Sequence, residues 1–222
     1  MTTAIILAAG KSERMGTNVD KAFLSLVDKP VVAWSLLAFE RCAAIDRIIL
    51  VVRKEQQLAA KAVAKMFGIS KLDKIVAGGK SRTESVLAGF AECDADTRVV
   101  VVHDGARPLV KGETIAEVVE AAKKGLSVAV GRPLSDSLKR CAKTSTITES
   151  VPREHLWTVQ TPQAFPMRDF RAAAKALGKK EVTDDCQMLE LNGVTTKIVE
   201  SYKPNIKITT PDDLLVASRL LK

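Results

Sequence analysis

The chain has 222 residues, 46% hydrophobic and 27% charged, which suits one α/β domain with a sizeable core. Lysine and arginine (34) outnumber aspartate and glutamate (26), so the chain is basic and fits a polyanionic ligand. Aromatics are only 4% and no long Lys/Arg block occurs, which argues against a nucleic-acid platform. Cys42, Cys93, Cys141 and Cys186 are isolated, and with His103 and His155 they form no zinc spacing. Isolated thiols suit a reducing compartment. No apolar run approaches a membrane span, and the N-terminus lacks a signal peptide's basic and long apolar segments. A cytoplasmic protein with no membrane partner is expected.

The first strand is expected over Ala4 to Ala8, and it runs into Ala9-Gly10-Lys11-Ser12-Glu13-Arg14-Met15-Gly16, with Lys21 beyond. Small residues let backbone N–H groups approach phosphate oxygens, and the cations supply charge. An ordinary strand-to-helix connection is the plainer alternative. Pro30 opens an amphipathic helix over Val31 to Cys42. Arg47 to Val52 is an unbroken apolar run, as suits a strand covered on both faces. A helix over Gln56 to Phe67 stops at Gly68, and a strand over Leu72 to Ala77 leads into Gly78-Gly79-Lys80-Ser81-Arg82. A helix over Thr83 to Glu92 precedes the clearest strand, Arg98 to Asp104. A turn at Gly105 to Pro108, a helix over Glu113 to Lys124 and a strand over Ser127 to Val130 follow.

This alternation predicts a Rossmann-like, mostly parallel twisted sheet with helices on both faces, in one domain over residues 1–222. Ligands of such sheets bind outside the carboxyl ends of the strands, which groups Ala8 to Gly10, Gly78 to Arg82 and Asp104 to Arg107 in one crevice. Residues 133–156 break the pattern. They are polar, with short β-like pieces at Ser137 to Arg140 and Thr146 to Thr148, and read either as a projecting arm or as a long surface loop. Leu156 to Gln160 reads as a returning strand, Thr161 to Pro166 as a rigid turn, and Met167 to Leu177 as a helix. Thr183-Asp184-Asp185 caps a helix over Cys186 to Leu191, and short strands are expected at Thr196 to Val199 and Ile206 to Ile208. Thr210-Pro211-Asp212-Asp213 starts a helix that runs to Leu221.

The motifs GxSxG, GxxxxGK[ST] and GxGxxG are absent, so a triad hydrolase, a P-loop enzyme and a usual dinucleotide dehydrogenase are disfavoured. The crevice offers cations, small residues and one strand-end carboxylate, Asp104. A single carboxylate together with substrate phosphates is a usual way to hold Mg²⁺. Arg14, Lys21 and Arg107 read as charge clamps for phosphoryl-type transfer, which needs positioning and charge more than a nucleophilic side chain.

Leu7-Ala8-Ala9-Gly10 through Arg14-Met15-Gly16 with Lys21 resembles the opening signature of sugar-phosphate nucleotidylyltransferases. Further motifs narrow the match: His103-Asp104-Gly105-Ala106-Arg107-Pro108, Gly78-Gly79 with Ser85, Asp136-Ser137 with Lys139, Thr161-Pro162-Gln163, Thr183-Asp184, and Asn205-Ile206-Lys207-Ile208-Thr209 with Pro211. In order from Ala4 to Leu215, the set is similar to the 2-C-methyl-D-erythritol 4-phosphate cytidylyltransferase family. The resemblance implies CTP and a polyol phosphate as substrates, Mg²⁺ as cofactor, and a place in non-mevalonate isoprenoid synthesis. It implies that Ala8, Ala9 and Gly10 contact CTP, with Gly79 and Ser85 at cytosine and ribose. Arg14 and Lys21 would act on the reacting phosphates, and Asp104 would hold the metal. Gly105, Arg107, Ser137, Thr161 and Thr183 would line the acceptor pocket, and Lys207 would orient the acceptor phosphate. Arg153 matches an arginine that reaches into a partner's site, which implies a homodimer joined through the arm. Lys80 stands where relatives often carry an acid, Gly105 where alanine is common, and Ser137 where threonine is usual. Ribitol 5-phosphate is the alternative acceptor, and a non-catalytic nucleotide-binding regulator the distant alternative.

Overall fold

The computed structural model describes residues 1–10 and 20–221. In chain order, β1 is Thr2–Ala8, β2 Ser25–Leu26 and β3 Lys29–Pro30, a two-strand turn that leads into α1, Val31–Arg41. Next come β4 Arg47–Val52, α2 Gln57–Met66, β5 Leu72–Ala77, α3 Arg82–Ala91, β6 Val99–Asp104, α4 Gly112–Lys123 and β7 Ser127–Pro133. The second half holds β8 Leu138–Cys141, β9 Ile147–Val151, β10 Trp157–Pro166, α5 Met167–Leu177, α6 Asp185–Glu190, β11 Thr196–Glu200 and α7 Pro211–Leu220.

Seven strands form one sheet in the order β11-β7-β10-β6-β1-β4-β5. All neighbours pair in parallel except β10, which runs antiparallel between β6 and β7. The apolar runs of β1, β4 and β6 are buried on both faces, as unbroken hydrophobic strands require. Alternate residues serve alternate layers. Ile6, Leu50 and Val101 pack with Leu36 and Phe39 of α1 and Ile115 and Val118 of α4. Ile5, Val51 and Val100 pack on the other face with Phe165, Phe170 and Leu189. The chain leaves β1 toward β4 on one side and returns to β6 on the other. The carboxyl ends of β1 and β6 thus flank the topological switch, where such sheets bind ligands.

Two sequence expectations change. Thr161 to Pro166 is not a turn but the inner half of β10, paired with β6 from Gln163 to Pro166. The Thr161-Pro162 peptide is cis, and the β7 register shifts between Val159 and Gln163, so prolines are accommodated beside an irregularity. Ile206 to Ile208 forms no strand. It is a strap tied by the Ile208 N–H to the Ala106 carbonyl at 2.8 Å. The open choice for residues 133–156 resolves into an antiparallel hairpin, β8–β9, that stands outside the main sheet. Thr210 and Asp213 form the expected capping box of α7.

Candidate active site

The strand ends frame a cavity of about 340 Å³. Ala8, Ala9 and Gly10 follow β1, and Gly79 to Arg82 follow β5 into α3. Asp104 ends β6, Lys207 comes from the strap, and Asp20, Lys21 and Arg53 close the side near β4. Ser85 lines the floor. Its Oγ accepts from the Gly79 N–H at 3.2 Å and donates to the Ser81 carbonyl at 2.8 Å, which pins the turn before α3. That turn needs Gly79, because an added Cβ would lie 2.3 Å from Glu84 Cβ. The Ser81 side chain caps α3 by accepting from the Glu84 N–H.

Asp104 is the electrostatic centre. Lys207 Nζ lies 2.8 Å from Oδ2, Arg107 Nε 3.5 Å from Oδ2, and Arg82 Nε 3.5 Å from Oδ1. Burial alone would raise the carboxyl's pKa, but Lys207, Arg82 and Arg107 together hold it well below the usual carboxylate range. Arg82 is anchored by a bidentate pair to buried Asp185, at 3.1 and 2.8 Å. Burial opposes its charge, yet Asp185 and Asp104 keep it firmly cationic.

Thr161 joins this centre from β10. Its Oγ1 accepts from the Asp104 N–H at 3.0 Å and lies 3.2 Å from His103 Nδ1. With that hydroxyl proton directed at Nδ1, His103 carries its own proton on Nε2, which faces the Arg107 carbonyl at 3.4 Å. Burial pushes His103 down to about 3, so it is neutral and structural. Arg107 Nη1 donates to the Asn205 carbonyl at 2.8 Å, while the Asn205 amide donates to Thr161 O at 2.8 Å and Gln160 Oε1 at 3.0 Å. Arg107 therefore braces the strap that presents Lys207. Gly105 lets this turn sit against β1, since a Cβ there would be 3.1 Å from the Leu7 carbonyl.

Of the residues expected at the site, Ala8, Ala9, Gly10, Lys21, Gly79, Ser85, Asp104 and Lys207 line the cavity, and Gly105, Arg107 and Thr161 adjoin it through Asp104. Thr183 lines a separate groove with Val159, Gln187 and Lys197, and its hydroxyl donates to Gln187 Oε1 at 3.2 Å. Asp184, not Thr183, caps α6. Ser137 is exposed at the base of the hairpin, and exposed Arg153 bonds to the Ser135 carbonyl. Arg14 lies outside the described residues. Sequence reasoning passed over the roles of Arg82, Asp185, Asp20 and Arg53. Arg82 closing the Gly-Gly turn and Asp20 directly before Lys21 were the available signals. The pairing of Arg82 with Asp185 spans 103 residues and has no local signature.

The donor set suits Mg²⁺. Asp104 is an ionised carboxylate that lines the cavity, the oxygen chemistry a hard ion takes. No cluster of three or more His, Cys, Asp or Glu residues able to hold a metal occurs among the described residues, so such an ion would draw its other ligands from substrate phosphates and water. No described helix is long and apolar enough to cross a membrane.

The model of the family described as "2-C-methyl-D-erythritol 4-phosphate cytidylyltransferase" matches residues 2–222. The 2-C-methyl-D-erythritol 4-phosphate cytidylyltransferase of Dehalococcoides mccartyi is 42% identical over 220 residues, covering 99% of this chain and 95% of that protein. The protein of that name from Caldanaerobacter subterraneus subsp. tengcongensis is 40% identical over 223 residues, covering 99% and 98%. The crystal structure of the 4-diphosphocytidyl-2C-methyl-D-erythritol synthase of Anaerococcus prevotii superposes with a TM-score of 0.85 at 27% identity, covering 99% of this chain and 97% of that one. The strand-end crevice of cations around one carboxylate is thus set in a chain matched over residues 2–222, and the chain belongs to the 2-C-methyl-D-erythritol 4-phosphate cytidylyltransferase family.

Proposed function

We propose that this enzyme transfers the cytidylyl group of CTP to 2-C-methyl-D-erythritol 4-phosphate, giving 4-diphosphocytidyl-2-C-methyl-D-erythritol and pyrophosphate. An oxygen of the acceptor phosphate bonds to the α-phosphorus, and the bond from that phosphorus to the β-phosphate bridging oxygen breaks. The observation that carries the reading is Asp104, ionised among Lys207, Arg82 and Arg107 at the switch point of the sheet.

The acceptor phosphate has its second pKa near ~6 and is mostly dianionic at neutral pH, so no general base is needed. The groups present agree with that. His103 is buried and neutral, and burial raises the thiols of Cys93 (to about 11) and Cys186. The obstacle is repulsion between two polyanions, which Lys21, Arg14 and Lys207 offset by taking up charge on the reacting phosphates. Ala8 to Gly10 and Gly79 give the nucleotide close backbone approach. Asp104 would hold Mg²⁺, whose chemistry is to neutralise and align the triphosphate oxygens. The β8–β9 hairpin pairs two copies of the chain, and Arg153 with Ser137 completes the acceptor pocket of the partner. Thr183 serves the same pocket from the α6 side.

CTP labelled at the α-phosphate tests the chemistry. Label recovered in an alkaline-phosphatase-resistant cytidine diphosphate ester supports cytidylyl transfer, and label released only as CMP refutes it.

A further inference from the structure

Asp20 is a carboxylate with only 2% of its surface exposed, yet it lines the wall of a crevice built for a polyanion. Its two oxygens are committed. Oδ1 accepts from the Ala22 N–H at 3.1 Å, capping a single 3-10 turn over Lys21–Phe23, whose Phe23 N–H bonds the Asp20 carbonyl at 2.9 Å. Oδ2 accepts from Arg53 Nε at 3.1 Å. Arg53 follows directly on β4, whose last residue, Val52, pairs with Ala8 of β1. Ala22 is itself buried in the core beside Ala8 and Val52. The backbone of Lys21 is therefore fixed from both sides: by the cap on the preceding residue and by the buried methyl on the following one.

We infer that Asp20 is a positioning residue for Lys21, with Arg53 as its anchor on the sheet. The pair fixes the start of the turn that presents the Lys21 ammonium to the reacting phosphates. Arg53 has a second effect. It neutralises a carboxylate that would otherwise repel the triphosphate at close range. Only the carboxylate of the pair is buried, and its desolvation offsets much of the Coulomb gain from a partly exposed Arg53, so a role in placing a neighbour is the better account of its cost. The role rests on the charge function proposed above for Lys21.

The experiment is a kinetic cycle with CTP and 2-C-methyl-D-erythritol 4-phosphate on Lys21→Ala, Asp20→Ala, Asp20→Asn, Arg53→Ala and the double variants carrying Lys21→Ala. Misplacing a reacting group by about 1 Å can cost ~100-fold, so Asp20→Ala is expected to lower kcat by at least about tenfold with a smaller change in KM for CTP. Asp20→Asn keeps an oxygen for the Ala22 N–H but turns an N–H toward Arg53 Nε, so its kcat is expected to lie between those of Asp20→Ala and the parent. Arg53→Ala lowers kcat and also raises KM for CTP, because the stranded carboxylate faces the phosphates. In the Lys21→Ala background, Asp20→Ala and Arg53→Ala each lower kcat no further. If Lys21→Ala lowers kcat while Asp20→Ala and Arg53→Ala lower it equally with and without Lys21, the positioning role is overturned and the proposed chemistry stands. If Lys21→Ala itself leaves kcat unchanged, the charge role of Lys21 fails and the positioning role fails with it. Should Asp20→Ala not fold, the Arg53→Ala arm of the cycle decides by the same criterion.

Discussion

Lys207 Nζ stands 2.8 Å from Asp104 Oδ2, the shortest of three cation contacts to that carboxylate among the described residues. The lysine is brought there by a strap, residues 205–208, fastened by Arg107 to Asn205 and by Ile208 to Ala106. Its ammonium is thus poised between the strand-end carboxylate and any phosphate in the crevice. Lys207→Ala should lower kcat by about 100-fold, the usual loss for one preorganised charge-stabilising donor. Because its side chain is 36% exposed, stability should change by no more than about 1 kcal/mol. Steady-state kinetics beside a thermal melt separates the two. A large loss of stability with an unchanged kcat would contradict the role.

Arg82 clamps Asp104 while bonding Asp185 through two nitrogens. Removing it strands a buried carboxylate, so Arg82→Ala should destabilise the fold by about 3 kcal/mol. Arg82→Lys should recover little, since an ammonium cannot make the two-nitrogen fork. Urea unfolding curves provide the comparison, and wild-type stability in Arg82→Lys would show that the fork is dispensable.

His103 makes stability depend on pH. The folded protein protonates it only near pH 3, whereas the unfolded chain does so at its ordinary value near ~6.5. Between these values the unfolded state binds more protons, so stability is fully present above about pH 6.5 and declines as pH falls, by up to about 1.4 kcal/mol per unit. Asp104 acts with the same sign lower down. Its folded pKa is depressed, so its contribution is present above the ordinary carboxylate range and lost as pH falls through it. Guanidinium titrations in metal-free buffer should show a loss of about 2 kcal/mol from pH 7 to pH 5, and His103→Gln should flatten that slope. An unchanged slope in the variant would place the titration elsewhere.

Much of this was legible in the sequence because it is local. The apolar runs of β1, β4 and β6 and the Gly-Gly turn before α3 are short-range signals, and the parallel-sheet rule then collects their ends in one place. The strand β10 was missed in its inner half because Thr161-Pro162 and Pro166 mimic turn chemistry. Proline can enter the sheet there because the register shifts beside the cis peptide. Ile206 to Ile208 alternates like a strand but is held by one backbone bond and side-chain ties. The Arg82–Asp185 and Asp20–Arg53 pairs, separated by 103 and 33 residues, become visible only when the fold brings helix starts and loops together at the strand ends. The hairpin's polarity was legible in the polar run of residues 133–156.

If the hairpin of one copy completes the site of another, Arg153→Ala and Lys21→Ala enzymes, each strongly impaired alone, should partly recover activity when mixed and allowed to exchange subunits. Up to about a quarter of the wild-type rate is expected from statistical mixing into twofold-symmetric dimers, each hybrid holding one intact site. No recovery despite demonstrated exchange would mean that Arg153 acts within its own chain or not at all.

The acceptor is decided by kcat/KM for pyrophosphate release from CTP with each polyol phosphate. With 2-C-methyl-D-erythritol 4-phosphate it should exceed the value with ribitol 5-phosphate by at least about 100-fold, the discrimination that one set of misplaced hydroxyl contacts can supply. Equal or faster turnover of ribitol 5-phosphate would contradict it.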